Sequence, residues 1–189
     1  MYKVCCRDLY RLLLYKASPP HSGVAIPHQA SGSRRSKGQQ LKQAEKYGER
    51  EAFTYKDFGG SAWKTMSYNR FALLVKQASN ALLNLGAKPQ ETIGVFSQNS
   101  IQYLVTDFGA YGVRVVSIPF YATASEQQIQ FMINDAQIKF LFVGEQEQYD
   151  KAHRVFGMCH SLERIIIFDR SVRISTHDPA ALYFGEGTE

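Results

Sequence analysis

Cysteine is scarce in this chain, and its three copies cannot pair into a framework. Cys5 and Cys6 adjoin and Cys159 stands alone. That odd set excludes a disulfide-stapled scaffold and favours a reducing compartment. Histidine is thin too: His21, His28, His153, His160 and His177 are scattered, and only Cys159 and His160 lie together, without zinc-ligand spacing. No metal site is expected. No apolar run approaches the roughly 18 residues needed to cross a bilayer. Leu9–Tyr15 is broken by Arg11 and is too short for a secretory core. These absences point to the cytoplasm, with at most peripheral membrane contact.

Several signature loops are missing as well. No G-x-G-x-x-G follows the first buried strand, which disfavours the usual dinucleotide fold. Neither a G-x-x-x-x-G-K-[ST] phosphate loop nor a G-x-S-x-G nucleophile elbow is present. One-sided charge is also lacking outside the first 40 residues. Those 40 hold seven Lys/Arg and one Asp, whereas the other 149 hold 15 basic and 16 acidic residues. The net charge of +5 therefore belongs to the tail and argues for no specific nucleic-acid partner of the folded part.

What is present is a chain of 189 residues, 44% of them hydrophobic, enough to bury a core in one domain plus a tail. Residues 1–40 read as a disordered basic extension, with Pro19-Pro20 and a turn-rich run around Arg34-Arg35-Ser36-Lys37 and no periodicity. Two other readings stay open. Tyr2–Tyr15 could touch a membrane as an amphipathic turn or two, and the arginine cluster could tether a polyanion.

Beyond the tail, Leu41–Arg50 starts as a helix that stops at Gly48. Ala52–Tyr55 and Ala62–Met66 flank a loop and predict a small hairpin. Ser67 caps a helix over Tyr68–Leu85, whose stripe of Phe71, Leu74, Val75, Ala78, Ala81, Leu82 and Leu85 is core packing. Four buried strands follow: Thr92–Phe96, Val115–Ile118, Ile138–Val143 and Arg164–Phe168. They alternate with helices over Ser100–Tyr111, after Ser125, and near Gln146–Phe156. Ser125 and Gln128 form a capping box, and Ile129, Met132 and Ile133 face inward. Alternation of this kind predicts an α/β fold of βαβ units with a parallel, Rossmann-like sheet, preceded by the hairpin. From Arg170 onward the pattern thins without a completed element.

In an open parallel sheet, ligands sit beyond the carboxyl ends of the strands. That directs attention to Ser97-Gln98-Asn99, Pro119–Thr123, Gly144-Glu145 and Asp169. Ser97 could be a nucleophile, but no base accompanies it, and a helix-capping hydroxyl is the simpler reading. Asp107 and Asp135 read as solvated or capping carboxylates. Phe120 and Tyr121 could line a groove or join the core. A catalytic constellation is not recognisable.

Four segments carry a resemblance to a known family. They are Thr-Met-Ser-Tyr-Asn-Arg-Phe at 65–71, Gly-Ala-Lys-Pro-Gln-Glu-Thr-Ile-Gly-Val-Phe-Ser-Gln-Asn at 86–99, Gly-Ala-Tyr-Gly-Val-Arg-Val-Val-Ser-Ile-Pro-Phe-Tyr-Ala-Thr at 109–123, and Ile-Asn-Asp-Ala-Gln-Ile-Lys-Phe-Leu-Phe-Val-Gly at 133–144. In order and spacing, residues 41–184 resemble the N-terminal subdomain of adenylate-forming acyl-CoA synthetases, in the long-chain fatty-acid–CoA ligase branch. The resemblance implies a two-step reaction using ATP, Mg2+ and coenzyme A. A fatty-acid carboxylate attacks the α-phosphate and releases pyrophosphate, and the coenzyme A thiol then displaces AMP. It implies a long-chain fatty acid as substrate and leaves open association with a full-length homologue.

The family's phosphate loop, aromatic-Thr-Glu motif, ribose-binding Asp and mobile Lys lie downstream of the matched segments, so no catalytic residue is carried over. Pro119, Tyr121 and Thr123 are the matched positions nearest to function, bordering the route of the coenzyme A arm. A phosphate-binding basic residue that some relatives place in the following helix is replaced here by Gln127 and Gln128. Residues 185–189 break the pattern and read as a truncated end. The chain is therefore expected to be a ligase fragment, inactive alone. The alternative is a non-catalytic Rossmann-like module that binds a ligand or partner.

Overall fold

The computed structural model describes residues 42–176 and 178–185. The expectations for the basic tail, including Cys5, Cys6, His21 and His28, and those for His177 and residues 186–189 lie outside the described residues.

Residues 42–47 are helical and stop at Gly48, whose φ of +54° is the left-handed geometry that glycine accepts most readily. Strands β1 (Glu51–Tyr55) and β2 (Lys64–Ser67) form the expected antiparallel hairpin. Helix α1 (Tyr68–Asn84) begins on Ser67, whose Oγ accepts the Arg70 N–H at 3.2 Å, and Gly86 turns the chain away at φ +84°.

Next come β3 (Thr92–Phe96), α2 (Ile101–Gly112), β4 (Val116–Phe120), α3 (Glu126–Asp135), β5 (Ile138–Val143), α4 (Gln146–Phe156), β6 (Arg164–Ile167) and β7 (Ala181–Tyr183). The last five strands make one sheet in the order β4-β3-β5-β6-β7, with every pair parallel. The connection through α2 runs outward from β3 to β4. That through α3 then returns past β3 to β5. The sheet is thus doubly wound, and its topological switch lies between β3 and β5.

Its two faces are covered by different helices. Ile129 and Ile133 of α3, with Tyr149, Ala152 and Val155 of α4, pack on Phe96, Leu141, Val143, Ile165 and Ile167. On the other face Leu82 of α1 and Ala110 of α2 meet Ile93, Val95, Phe140 and Ile166. Each fully buried aliphatic side chain contributes about 1.5–3 kcal/mol of transfer free energy. The hairpin is held by a third cluster, in which Phe53 and Met66 pack on Phe71, Val75, Ile101 and Val105. Where α1 crosses α2, Ser79 Oγ donates to the Gly109 carbonyl at 2.9 Å, and a Cβ on Gly109 would lie 2.7 Å from that of Ala78. Among the described residues no helix is long and apolar enough to cross a membrane.

Three details depart from expectation. β4 continues through Pro119 and Phe120, where a loop was expected to begin. Pro119 is tolerated because β4 pairs on one side only, and an edge strand does not need every N–H. A fifth strand, β7, completes a region where no element was expected. It pairs with β6 through Ile165↔Ala181 to Ile167↔Tyr183. Asp107 is not a solvated carboxylate: it is partly buried, accepts the Ser117 hydroxyl at 2.5 Å, and burial pushes its pKa up.

Candidate functional site

The carboxyl ends of β3 and β5 come together at the switch. Gly144 N–H donates to the Phe96 carbonyl at 3.1 Å, and the backbone of Gly144 lies directly against Ser97. Ser97 is 5% exposed and its Oγ donates to the Gln98 carbonyl at 2.9 Å. It does not cap α2, which is capped by Ser100 through the Tyr103 N–H at 3.1 Å. Ser97 is thus committed to local packing. Asp169, after β6, is committed too, accepting from the backbone N–H and hydroxyl of Ser171 at 2.8 and 2.7 Å.

The sequence-derived site residues Pro119, Tyr121 and Thr123 lie at the end of β4 and in the turn that follows. Phe120 points into the core at 4% exposed, while Tyr121 at 87% exposed is not part of the core. The turn is closed by Ala124 N–H on the Tyr121 carbonyl at 2.9 Å and hands over to the Ser125 cap of α3. Gln128 completes the capping box, its Oε1 accepting the Ser125 N–H at 2.9 Å, and Gln127 is exposed. From the opposite side, α4 reaches this turn. Gln148 Nε2 donates to the Ala122 carbonyl at 3.0 Å, and Lys151 Nζ donates to the Ala124 carbonyl at 3.1 Å. Sequence reasoning missed both contacts. The one available signal was a Glu145-x-x-Gln148 capping pattern at the start of α4, which the structure shows formed.

A cleft of about 590 Å³ opens on the other side of the same sheet end, between the hairpin, α1 and α2. Phe58, Phe168 and Phe184 supply aromatic wall, with Phe58 and Phe168 nearly parallel at 6.5 Å. Arg70 lines it, and its guanidinium forms no ion pair among the described residues. Gln102 Oε1 is buried there without a hydrogen-bond partner. None of these residues was legible as a site, because they come from five separated segments.

Two other polar clusters sit away from the strand ends. Burial raises the pKa of Tyr103 to about 12, helped by the Asp107 carboxylate and by Tyr111. Asp178, nearly inaccessible, accepts from Tyr149 Oη at 3.0 Å and from the Ala180 N–H at 3.1 Å, and lies 2.9 Å from His153 Nδ1. Burial also pushes up the Cys159 thiol. Among the described residues no group of three His, Cys, Asp or Glu side chains gathers around a common point.

Comparison with known proteins places this architecture. Residues 41–181 match the family described as AMP-binding enzyme. The long-chain-fatty-acid–CoA ligase ACSBG2 of Mus musculus is 26% identical over 92 residues, covering 49% of this chain and 14% of that protein. Fatty acyl-CoA synthetase B of Dictyostelium discoideum is 28% identical over 133 residues, covering 68% and 20%. Among solved structures, coronafacic acid ligase from Pectobacterium brasiliense superposes with a TM-score of 0.66 at 14% identity, covering 78% of this chain and 28% of that one. That last likeness shows the fold. The chain belongs to the AMP-binding enzyme family, with acyl-CoA ligases among its relatives. It spans about one seventh to one fifth of the length of these two relatives.

Proposed function

We propose that residues 41–184 are the amino-terminal α/β unit of an ATP-dependent long-chain fatty acid–CoA ligase, and that Pro119, Tyr121 and Thr123 border the path of coenzyme A. The ordered match of residues 41–181 to the AMP-binding enzyme family carries this reading. The position of the 121–124 turn beyond a strand's carboxyl end supports it, since ligands of doubly wound sheets sit there.

In the reaction so assigned, a fatty-acid carboxylate oxygen bonds to the α-phosphorus of ATP and pyrophosphate leaves. The coenzyme A sulfur then bonds to the acyl carbon and AMP leaves. Both steps concentrate negative charge and need cationic or N–H donors around the phosphates. The chain contains no glycine-rich phosphate loop of the G-x-x-x-x-G-K-[ST] type. We therefore assign the unit a binding and scaffolding role, with no step of the chemistry and no Mg2+ ligand given to its own side chains. Acyl-CoA formation by the isolated chain, supplied with ATP, Mg2+, coenzyme A and palmitate, should stay at background. Turnover above background would overturn the scaffold assignment. Calorimetric titration with coenzyme A should show saturable binding, and its absence would remove the role given to the 119–123 segment.

A further inference from the structure

Helix α4 carries three polar side chains at steps of three, Gln148, Lys151 and Arg154; the first two close on the segment joining β4 to α3, and the third on the first turn of α3. Gln148 is 2% exposed, so its amide has no water to fall back on. Its Oε1 accepts the Glu145 N–H at 3.0 Å, and its Nε2 donates to the Ala122 carbonyl at 3.0 Å. Lys151 Nζ, held by Glu147 at 2.8 Å, donates to the Ala124 carbonyl at 3.1 Å. Arg154 Nε donates to Glu126 Oε1 at 2.7 Å in the first turn of α3.

One amide therefore bonds at one end to the beginning of α4 and at the other to the turn after β4. The beginning of α4 follows directly on Gly144, at the switch between β3 and β5. The turn is thereby referenced to the carboxyl end of the sheet. Tyr121 is 87% exposed, yet its own carbonyl accepts the Ala124 N–H and the next carbonyl is held by Gln148. The backbone that carries this exposed ring is preorganised, and binding to it loses less conformational freedom.

We propose that Gln148, seconded by Lys151, is a positioning residue that holds the 121–124 turn so that Tyr121 and Thr123 present a preformed edge to coenzyme A. This rests on the reading that the 119–123 segment borders the coenzyme A path. Gln148 acts only through the turn and touches no substrate.

The test uses the full 189-residue chain, Gln148→Met, Lys151→Met, and Lys151→Arg as the conservative control, with two readouts on each. Hydrogen exchange of the 122–125 amides, relative to those of β3 and β5, should quicken by about tenfold or more in Gln148→Met, reporting local opening. Coenzyme A affinity, by calorimetry, should fall about three- to tenfold as preorganisation is lost. Lys151→Met should move both readouts the same way, and Lys151→Arg should restore them. Should Gln148→Met fail to fold, the two Lys151 variants decide alone. Unchanged exchange in the turn overturns the pin, and a loosened turn with unchanged coenzyme A affinity overturns its functional role. Failure of the unaltered chain to bind coenzyme A overturns the underlying reading, and exchange then still shows whether Gln148 pins the turn.

Discussion

Gly144 and Ser97 approach so closely at the sheet switch that a Cβ on Gly144 would lie 2.5 Å from Ser97 Oγ and 3.1 Å from Ser97 Cβ. Glycine is required here by the close approach of two strand ends. Gly144→Ala should destabilise the fold by about 1–3 kcal/mol, as overpacking of a tight contact does. Ser97→Gly removes both clashing atoms, so the double variant should recover a large part of that loss. Urea denaturation of the four species gives the coupling energy. Strict additivity would show that Gly144 is tolerated for some other reason.

The final strand is tied down by Tyr149 and Asp178. Tyr149 Oη donates to Asp178 and accepts the Ser175 N–H at 3.0 Å, while Asp178 Oδ1 takes the Ala180 N–H at the entry to β7. Tyr149→Phe keeps the ring in its buried seat and removes both hydroxyl bonds, at a cost of about 1–3 kcal/mol for the partners left unsatisfied. Hydrogen exchange should locate the loss, with β7 and residues 172–180 opening before β3 and β5. Uniform weakening across the whole sheet would contradict a local tie.

Asp107 should make stability depend on pH in an unusual direction for a carboxylate. Burial raises its folded pKa above the unfolded value, and the Ser117 hydroxyl only partly offsets this. The native state therefore holds the proton more tightly. The contribution favouring the fold is present below the unfolded pKa and is lost as pH rises through the folded one. Asp107→Asn keeps an oxygen for the Ser117 hydroxyl and removes the charge. It should raise Tm at pH 7 by roughly 2–4 °C, the shift expected for about 1 kcal/mol in a chain of this size. The gain should shrink at lower pH, as acid protonates the aspartate as well. An equal gain at lower pH would show that charge burial is not the cause.

Much of this architecture is legible in the sequence. β3, β5 and α4 fall on the expected residues, because near-continuous apolar runs and clear caps mark them locally. β7 was not legible. Three residues, Ala181–Tyr183, carry too little pattern, and the strand exists through pairing with β6 and the Tyr149–Asp178 tie. Strand β4 was expected to end at Ile118, before Pro119, because edge status is a property of the sheet and not of the strand's own residues. Asp107 looked solvated since its burial comes from β4 as well as from its own helix. The site shows the same division. The carboxyl-end rule points to Tyr121 as a candidate, whereas Gln148 and Lys151, which bond to its turn, lie more than 25 residues away with no local mark of that contact.

Tyr121 separates the proposed function from folding, because its side chain is exposed. At 87% exposed its ring buries almost nothing, so Tyr121→Ala should change stability by less than about 0.5 kcal/mol, as surface substitutions generally do. The Ala124 N–H bond to the residue 121 carbonyl is a backbone contact and survives the change. If the ring stacks on coenzyme A, its loss should weaken binding by about 1–3 kcal/mol, the range for an aromatic platform under a base. Tyr121→Phe should retain most of that affinity, since the ring face and not the hydroxyl makes the contact. Calorimetry with coenzyme A beside a thermal melt reads both quantities on one preparation. Equal coenzyme A affinity in the Ala variant would take Tyr121 out of the site.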